Sequence, residues 1–202
     1  VKPAVEGTLR VLKAASKAGV KRVVITSSVA AIMYGTDKQG TFNEEDWTDP
    51  KSKTTNVYAK SKTLAEQAAW DFMEHDTSGM ELSTVLPAMV FGPILEEDFG
   101  VSVGAILDMM NGKYPIVPNW DMGVVDVRDV ASLELLAMTK PEAAGKRFVG
   151  SAENMFMKDQ NEYLSELFPE SASKIPKRVA PNWLIKFLAL FLPALKMIAE
   201  GL

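Results

Sequence analysis

The segment NVYAKSKTLAEQAAWDFM, residues 56–73, places Tyr58 and Lys62 four apart at the start of a helical pattern. Residues at that spacing share a helix face, so the lysine ammonium can lie beside the tyrosine ring and hydroxyl. A phenol ordinarily keeps its proton at neutral pH, and a cation close by favours the phenolate, which suits such a pair to proton transfer. By itself the pair is weak evidence. With four tyrosines and lysine at roughly one position in twelve, chance supplies about one such spacing in every three chains of this size. The bland alternative is a half-buried tyrosine with a solvated lysine one turn on. The run Thr26-Ser27-Ser28 shifts the balance, because it closes a short β-branched stretch, KRVVITSS. A serine hydroxyl at the end of a strand can hold a carbonyl oxygen while Tyr58 protonates it.

Positioning such groups requires a folded frame, and the composition allows one. The 202 residues are 47% hydrophobic and 24% charged, the balance of an ordinary soluble globular protein. That length suffices for one domain with a sizeable core, or for a domain with a small appendage. A net charge of −4 argues against a nucleic-acid surface, which needs clustered Lys and Arg. The absence of cysteine excludes disulfides, iron–sulfur sites and thiolate zinc sites, and fits a reducing, cytoplasmic setting. The single histidine, His75, cannot anchor a multi-His metal site and is read as solvated near a helix end, so no metal is expected. The opening VKPAVEGTLRVLKAASKAG has no starting Met and no apolar core of signal-peptide length. Near the other end, the uncharged run Phe187–Leu195 falls far short of the about 20 residues a membrane span needs. The stretch PNWLIKFLALFLPALKMIAEGL, with Pro193 inside it, is read instead as an amphipathic helix packed on a small C-terminal lobe.

Val5, Leu9, Leu12, Ala15 and Ala18 recur at helical spacing after Pro3, which suits a first turn, and Gly19 supplies the stop. The run after it predicts a buried strand over 23–26. Residues 34–55 are polar and rich in turn formers, and a loop of that length in a compact domain is more often functional than idle. A helix over 57–75 follows, with Leu64, Ala65, Ala68, Ala69, Phe72 and Met73 as its apolar face. MELSTVLPAMVFGP reads as a second buried strand, breaking at Pro87 and ending at Gly92-Pro93. This alternation of helix and strand indicates an α/β fold with a parallel sheet. Open sheets of that kind bind ligands at their carboxyl edge, where the Thr26-Ser27-Ser28 run falls. Beyond Pro93 the pattern predicts a short helix in VSVGAILDMMNG, a strand in GVVDV and a helix in RDVASLELLAMTKP. A strand in KRFVGS and a helix over 157–168 complete it.

In their order and spacing, PAVEGTLRVLKAA, RVVITSSVAAI, YAKSKTLAEQAAW, LPAMVFGP and VVDVRDVA resemble the extended short-chain dehydrogenase/reductase family. The branch is that of dihydroflavonol reductase-like and aldehyde reductase-like enzymes, within the NAD-dependent epimerase/dehydratase superfamily. Each stretch is moderately specific, and together they cover nearly the whole chain. The resemblance implies a doubly wound, Rossmann-type parallel sheet. Residues 1–93 would form part of the dinucleotide-binding domain. Residues 94–202 would form mainly a small α/β substrate lobe, with some segments returning to the first domain. It also implies reduction of an aldehyde or ketone to an alcohol by hydride transfer from NAD(P)H, with NADP expected from the family's habit and NAD the alternative. Carried over residue by residue, Ser28 resembles the serine that orients the carbonyl, with Ser27 the second choice. Tyr58 resembles the general acid. Lys62 resembles the residue that assists the tyrosine and hydrogen-bonds the nicotinamide ribose. Pro87, Ala88, Met89 and Val90 resemble the backbone segment that meets the nicotinamide carboxamide, and Ser102 a further cofactor contact. On their own, Pro87 reads equally well as a strand terminator and Ser102 as a helix N-cap.

Such enzymes begin with a strand, a glycine-rich turn and a helix whose N-terminus holds the cofactor pyrophosphate. Nothing in the 202 residues resembles G-x-x-G-x-x-G. The resemblance therefore implies roughly a hundred further residues upstream, carrying four more strands. The 202 residues alone are expected to bind NADPH far more weakly than an intact homologue, because the matched residues reach only its nicotinamide end. Titration calorimetry checks this, and micromolar affinity would overturn it. An uncovered strand edge favours self-association, so a homo-oligomer is a candidate state. Nucleotide-sugar epimerases and dehydratases of the same fold share Ser, Tyr and Lys, but a diphosphate needs basic partners. GPILEEDFGVSVGAILDMMNGKYPIVPNW offers only Lys113, which favours a small hydrophobic carbonyl substrate. A third reading is an inactive remnant that serves as a binding module. The intact Ser28, Tyr58 and Lys62 argue against it, and the missing phosphate-binding turn argues for it.

Overall fold

The computed structural model describes residues 1–96, 100–191, 195 and 198–199. In chain order the elements begin with α1 (Lys2–Lys17), β1 (Arg22–Thr26), a 3₁₀ turn (Val29–Ala31), α2 (Val57–His75), β2 (Glu81–Pro87) and β3 (Met89–Phe91). They continue with α3 (Val101–Met110), β4 (Val117–Pro118), β5 (Asp121–Asp126), α4 (Val127–Thr139) and β6 (Arg147–Gly150). The last are β7 (Glu153–Phe156), α5 (Met157–Leu167), β8 (Val179–Ala180) and α6 (Asn182–Leu188). The chain divides into two units. The first is Val1–Ala88 with Val125–Ser151, and the second is Met89–Val124 with Ala152–Leu202.

The first unit is built on a parallel sheet in the order β1-β2-β6. β2 is central, and from Leu82 to Pro87 every residue is buried, as expected of a parallel strand covered on both faces. β1, at the edge, is only half-buried despite its β-branched sequence. Alternation along β2 separates the two faces. Thr84 sends its hydroxyl to Glu66 of α2, whereas Ser83 sends its own to the Ala143 carbonyl just beyond α4. On the α2 side, Leu12 of α1, Ala69 of α2, Met80 and Leu82 form a core to which Val23, Ile25, Trp70, Phe72 and Met73 add their partly buried surfaces. α1 ends as the sequence indicates, with Gly19 at φ +70° beyond the last turn. His75 is exposed at the end of α2.

α2 departs from the expected apolar stripe. Its most deeply buried residues are Ala59, Thr63, Glu66 and Ala69, while Leu64, Ala65 and Ala68 are half-buried. The inward face thus carries two polar residues, and it can do so because both are bonded. Thr63 donates to the Ala59 carbonyl, and Glu66 is held from four sides.

Residues 34–55 form no regular element, yet the loop is pinned. Thr48 is buried; its N–H donates to the Ala31 carbonyl and its hydroxyl to the Ala30 carbonyl, each at 2.8 Å. Gly35 sits at φ +69°, and a Cβ there would meet Thr55 Oγ1, Ser52 Cβ at 2.7 Å and the Asp49 carbonyl at 2.8 Å. Gly35→Ala is therefore expected to destabilise the fold by about 1–3 kcal/mol, the usual cost of overpacking. Urea unfolding measures it, and an unchanged midpoint would show that the loop shifts freely.

In the second unit β5 lies between β3 and β7, antiparallel to β7, and β4 pairs in parallel with β8. In the first unit, Asp126 caps α4: it accepts from the Arg128 guanidinium and from the Arg128 backbone N–H, and these bonds hold its carboxyl at about 2. Of the expected C-terminal helix, α6 covers Asn182–Leu188, and residues 192–194, 196–197 and 200–202 lie outside the described residues. α6 ends at Leu188, and among its exposed residues are Trp183 and Phe187, with Leu190 and Phe191 exposed just beyond. Ile185 and Ala189 are the buried contacts of this segment. Pro193 lies outside the described residues. Among the described residues no helix is long and apolar enough to cross a membrane.

Candidate active site

Three chain segments of the first unit meet the carboxyl edge of the parallel sheet. The first is the exit from β1, where the Ser27 N–H donates to the Val85 carbonyl of β2 at 2.7 Å. The second is the end of β2, where Pro87 pairs with Gly150 and the Ala88 N–H donates to the Gly150 carbonyl. The third is the start of α2, brought there by Lys62, whose ammonium donates to the Thr26 carbonyl at 3.3 Å. Tyr58 lies one turn earlier on the same helix face.

Local sequence places Tyr58 in that first turn. Asn56 is the N-cap of α2, and its Oδ1 accepts from the Ala59 N–H at 2.9 Å. Tyr58 is 51% exposed, and its hydroxyl has no hydrogen-bond partner among the described residues. Lys62 bonds to the end of β1, where the carbonyl of an exiting strand needs a donor.

The three hydroxyls of Thr26-Ser27-Ser28 are not equivalent. Thr26 donates to Glu134 of α4 at 2.5 Å, and Ser27 donates to the buried Glu66 at 2.5 Å. Ser28 is the N-cap of the 3₁₀ turn: its Oγ accepts from the Ala30 N–H at 3.2 Å, and its own proton is not committed. Of the two serines, Ser28 alone retains a hydroxyl proton to give.

The remaining expected site residues fall in two units. Pro87 and Ala88 belong to the first, where Pro87 does end its strand. Met89 and Val90 lie on β3 of the second, where Ser102 also lies. Ser102 is not the N-cap of α3, since Gly100 holds that position, and it is half-buried within the first turn.

Two residues near the serines went unnoticed in the sequence. Glu66 is 1% exposed and accepts from Ser27 Oγ, Thr84 Oγ1 at 2.9 Å, Trp70 Nε1 at 3.4 Å and Arg147 Nε at 2.7 Å. Arg147 also donates to the Glu44 and Asp46 carbonyls at 2.6 and 2.8 Å, and its guanidinium lies 3.7 Å over the Trp47 ring. The available signals were an acidic residue eight after Tyr58 on an alanine-rich face, and an arginine inside a strand pattern of a covered sheet.

Lys113, the only base in residues 92–120, is engaged by Asp108 at 2.7 Å. The second unit gathers further cations from a later stretch, around a cavity of about 750 Å³ lined by Asn111, Tyr114, Lys174, Lys177 and Arg178 among others. Among the described residues no group of His, Cys, Asp and Glu is arranged to hold a metal ion.

Comparison with known proteins agrees with this frame. The chain is 38% identical over 174 residues to cinnamoyl-CoA reductase 1 of Petunia hybrida, covering 84% of this chain and 51% of that protein. It is 36% identical over 188 residues to the NADPH-dependent methylglyoxal reductase GRE2 of Saccharomyces cerevisiae, covering 85% of this chain and 55% of that protein. The chain thus spans about half the length of these relatives. Its fold superposes on the crystal structure of yeast methylglyoxal/isovaleraldehyde reductase Gre2 complexed with NADPH with a TM-score of 0.77, at 36% identity, over 87% of this chain and 57% of that one. Residues 1–149 match the family model described as NAD dependent epimerase/dehydratase, and to that family the chain belongs.

Proposed function

We propose that this chain carries the proton-transfer site and substrate lobe of a reductase that converts an aldehyde or ketone into an alcohol with NADPH. The observation that carries the reading is an unpartnered tyrosine hydroxyl on α2, one turn before a lysine tied to the carboxyl edge of the sheet. A serine with an uncommitted proton leaves the same edge. Relatives named as reductases of methylglyoxal and of cinnamoyl-CoA support it.

In this reading Ser28 donates a hydrogen bond from its hydroxyl to the substrate carbonyl oxygen and so orients it. Tyr58 then transfers its phenolic proton to the same oxygen as the carbonyl carbon is reduced. Lys62, anchored at the Thr26 carbonyl, keeps a positive charge beside the reacting oxygen and has further N–H groups for a ribose hydroxyl. NADPH, when bound, supplies the hydride. NAD is the alternative. Lys62 and the backbone of Pro87–Val90 would hold its nicotinamide end, with Ser102 a further contact. Within the first unit, Lys62, Pro87 and Ala88 suit that end of the cofactor, since the sheet edge there presents backbone groups and an ammonium with spare donors. The first unit is assigned to the cofactor and the second mainly to a small hydrophobic substrate.

The test is NADPH oxidation by the protein expressed with all the sequence its gene encodes, offered a branched aliphatic aldehyde and an aromatic aldehyde. No turnover of either would sink the reading. Lys62→Met is expected to weaken NADPH binding about tenfold or more, the loss of one charged hydrogen bond, and to lower kcat as well. Fluorescence titration and steady-state kinetics check the two effects, and unchanged NADPH affinity would remove the ribose role.

A ligand carrying phosphate is the second reading, favoured by one observation. Lys174, Lys177 and Arg178 line the cavity of the second unit with no ion-pair partner among the described residues. An acyl-CoA thioester or a nucleotide sugar supplies such phosphates. A kcat/KM higher for a cinnamoyl-CoA thioester than for the free aldehydes would select the thioester. Turnover of a nucleotide sugar would select epimerase or dehydratase chemistry.

A further inference from the structure

Resting on the reading of Ser28 and Tyr58 given above, we propose that Ser27 and Glu66 are positioning residues. The buried carboxylate holds the Ser27 hydroxyl inward and so fixes the turn that presents Ser28 to the substrate carbonyl.

Glu66 continues the line of Tyr58 and Lys62, two turns of α2 beyond the tyrosine. Its carboxylate is buried beneath the sheet edge, where a well-packed apolar side chain would serve packing alone with no charge to desolvate. What the carboxylate adds is connection. One oxygen takes the Ser27 hydroxyl at the exit of β1. The other takes Thr84 of β2, the strand beside that exit, and Arg147 of β6, the strand beyond it.

The far side of the same turn is gripped through Arg147. Its guanidinium clasps the Glu44 and Asp46 carbonyls and stacks on Trp47. The next residue, Thr48, donates to the carbonyls of Ala30 and Ala31. The 3₁₀ turn that Ser28 caps is therefore held at its start by Ser27 on Glu66 and at its end by Thr48. Both attachments trace back to the Glu66–Arg147 pair. A hydroxyl that must meet a carbonyl oxygen at hydrogen-bond distance gains from such restraint, because misplacement by about 1 Å costs about 10²-fold in rate.

The test compares Ser27→Ala, Ser27→Thr and Glu66→Gln with Ser28→Ala and Tyr58→Phe, in the protein with all the sequence its gene encodes, using NADPH and an aldehyde that the parent reduces. Ser27→Ala is expected to lower kcat about 10- to 100-fold while the KM for NADPH and the melting temperature stay near those of the parent. Ser27→Thr, which keeps the hydroxyl, restores most of the lost kcat. Amide hydrogen exchange at Ala30 rises in both Ser27→Ala and Glu66→Gln, a readout that needs no turnover. A kcat for Ser27→Ala within about twofold of the parent, with Tyr58→Phe inactive, overturns the positioning role and leaves the functional reading standing. An active Tyr58→Phe overturns the functional reading itself. Loss of activity in Ser27→Ala with Ser28→Ala still active also overturns the proposal, since Ser27 would then meet the substrate directly. Should Glu66→Gln fail to fold, the two Ser27 variants decide the matter.

Discussion

Tyr58→Phe is expected to lower kcat by about 10²- to 10⁴-fold, the range for removing a positioned acid, with NADPH affinity nearly unchanged. The substitution deletes one hydroxyl and keeps the ring. That hydroxyl bonds to nothing else among the described residues, so its loss strands no partner. The side chain is half exposed in the first turn of α2, so little packing is at stake. Stability should therefore stay within about 0.5 kcal/mol of the parent, which separates a catalytic loss from a folding defect. Steady-state kinetics, an NADPH titration and a thermal melt make the three measurements. Retention of more than about a tenth of the turnover would remove Tyr58 from the role of acid.

Arg147→Met is expected to be the most destabilising single replacement of a charged side chain, at about 3–5 kcal/mol. The arginine side chain is 9% exposed and that of Glu66 only 1% exposed, so removing the cation leaves a carboxylate buried without a counter-charge. The Glu44 and Asp46 carbonyls lose their donor at the same time. Against a typical total of about 5–15 kcal/mol, a loss of this size is a large fraction of the stability. The exposed Lys2–Glu6 pair makes the contrast. With side chains 83% and 51% exposed and four residues apart on α1, it contributes at most about 0.5 kcal/mol. Urea unfolding of Arg147→Met and Lys2→Met measures both. Equal midpoints would show that burial does not govern the worth of these pairs.

Reading the chain as a string recovered most of the first unit, for local reasons. A β-branched run closed by hydroxyls, a helix over 57–75 and a glycine stop after α1 are each encoded within a few residues. The parallel arrangement followed from their alternation. The misreading has a different origin. The inward face of α2 was misjudged because Glu66 reads as a surface residue by type, and only Arg147, 81 positions away, makes it tolerable in the core. The second unit also brings Lys174, Lys177 and Arg178, from a stretch beyond α5, to the cavity that Asn111 and Tyr114 line, a gathering no local pattern shows.

Lys62 and the serines mark the boundary between what is local and what is not. The sequence by itself determined which residue types stand at the edge of the sheet, since the four-residue spacing of Tyr58 and Lys62 and the Thr26-Ser27-Ser28 run are properties of neighbouring positions. It also determined the fold class, because hydrophobic period and helix–strand alternation are short-range signals. Only the tertiary structure decided which hydroxyls are already spent. Thr26 and Ser27 are committed to Glu134 and Glu66, at sequence separations of 108 and 39, and Lys62 is drawn to a carbonyl 36 residues earlier. Hydrogen bonds of that reach form only once the sheet and helices have packed. The free proton on Ser28 is therefore a property of the assembled unit, because buried donors and acceptors take whichever partners packing brings within reach.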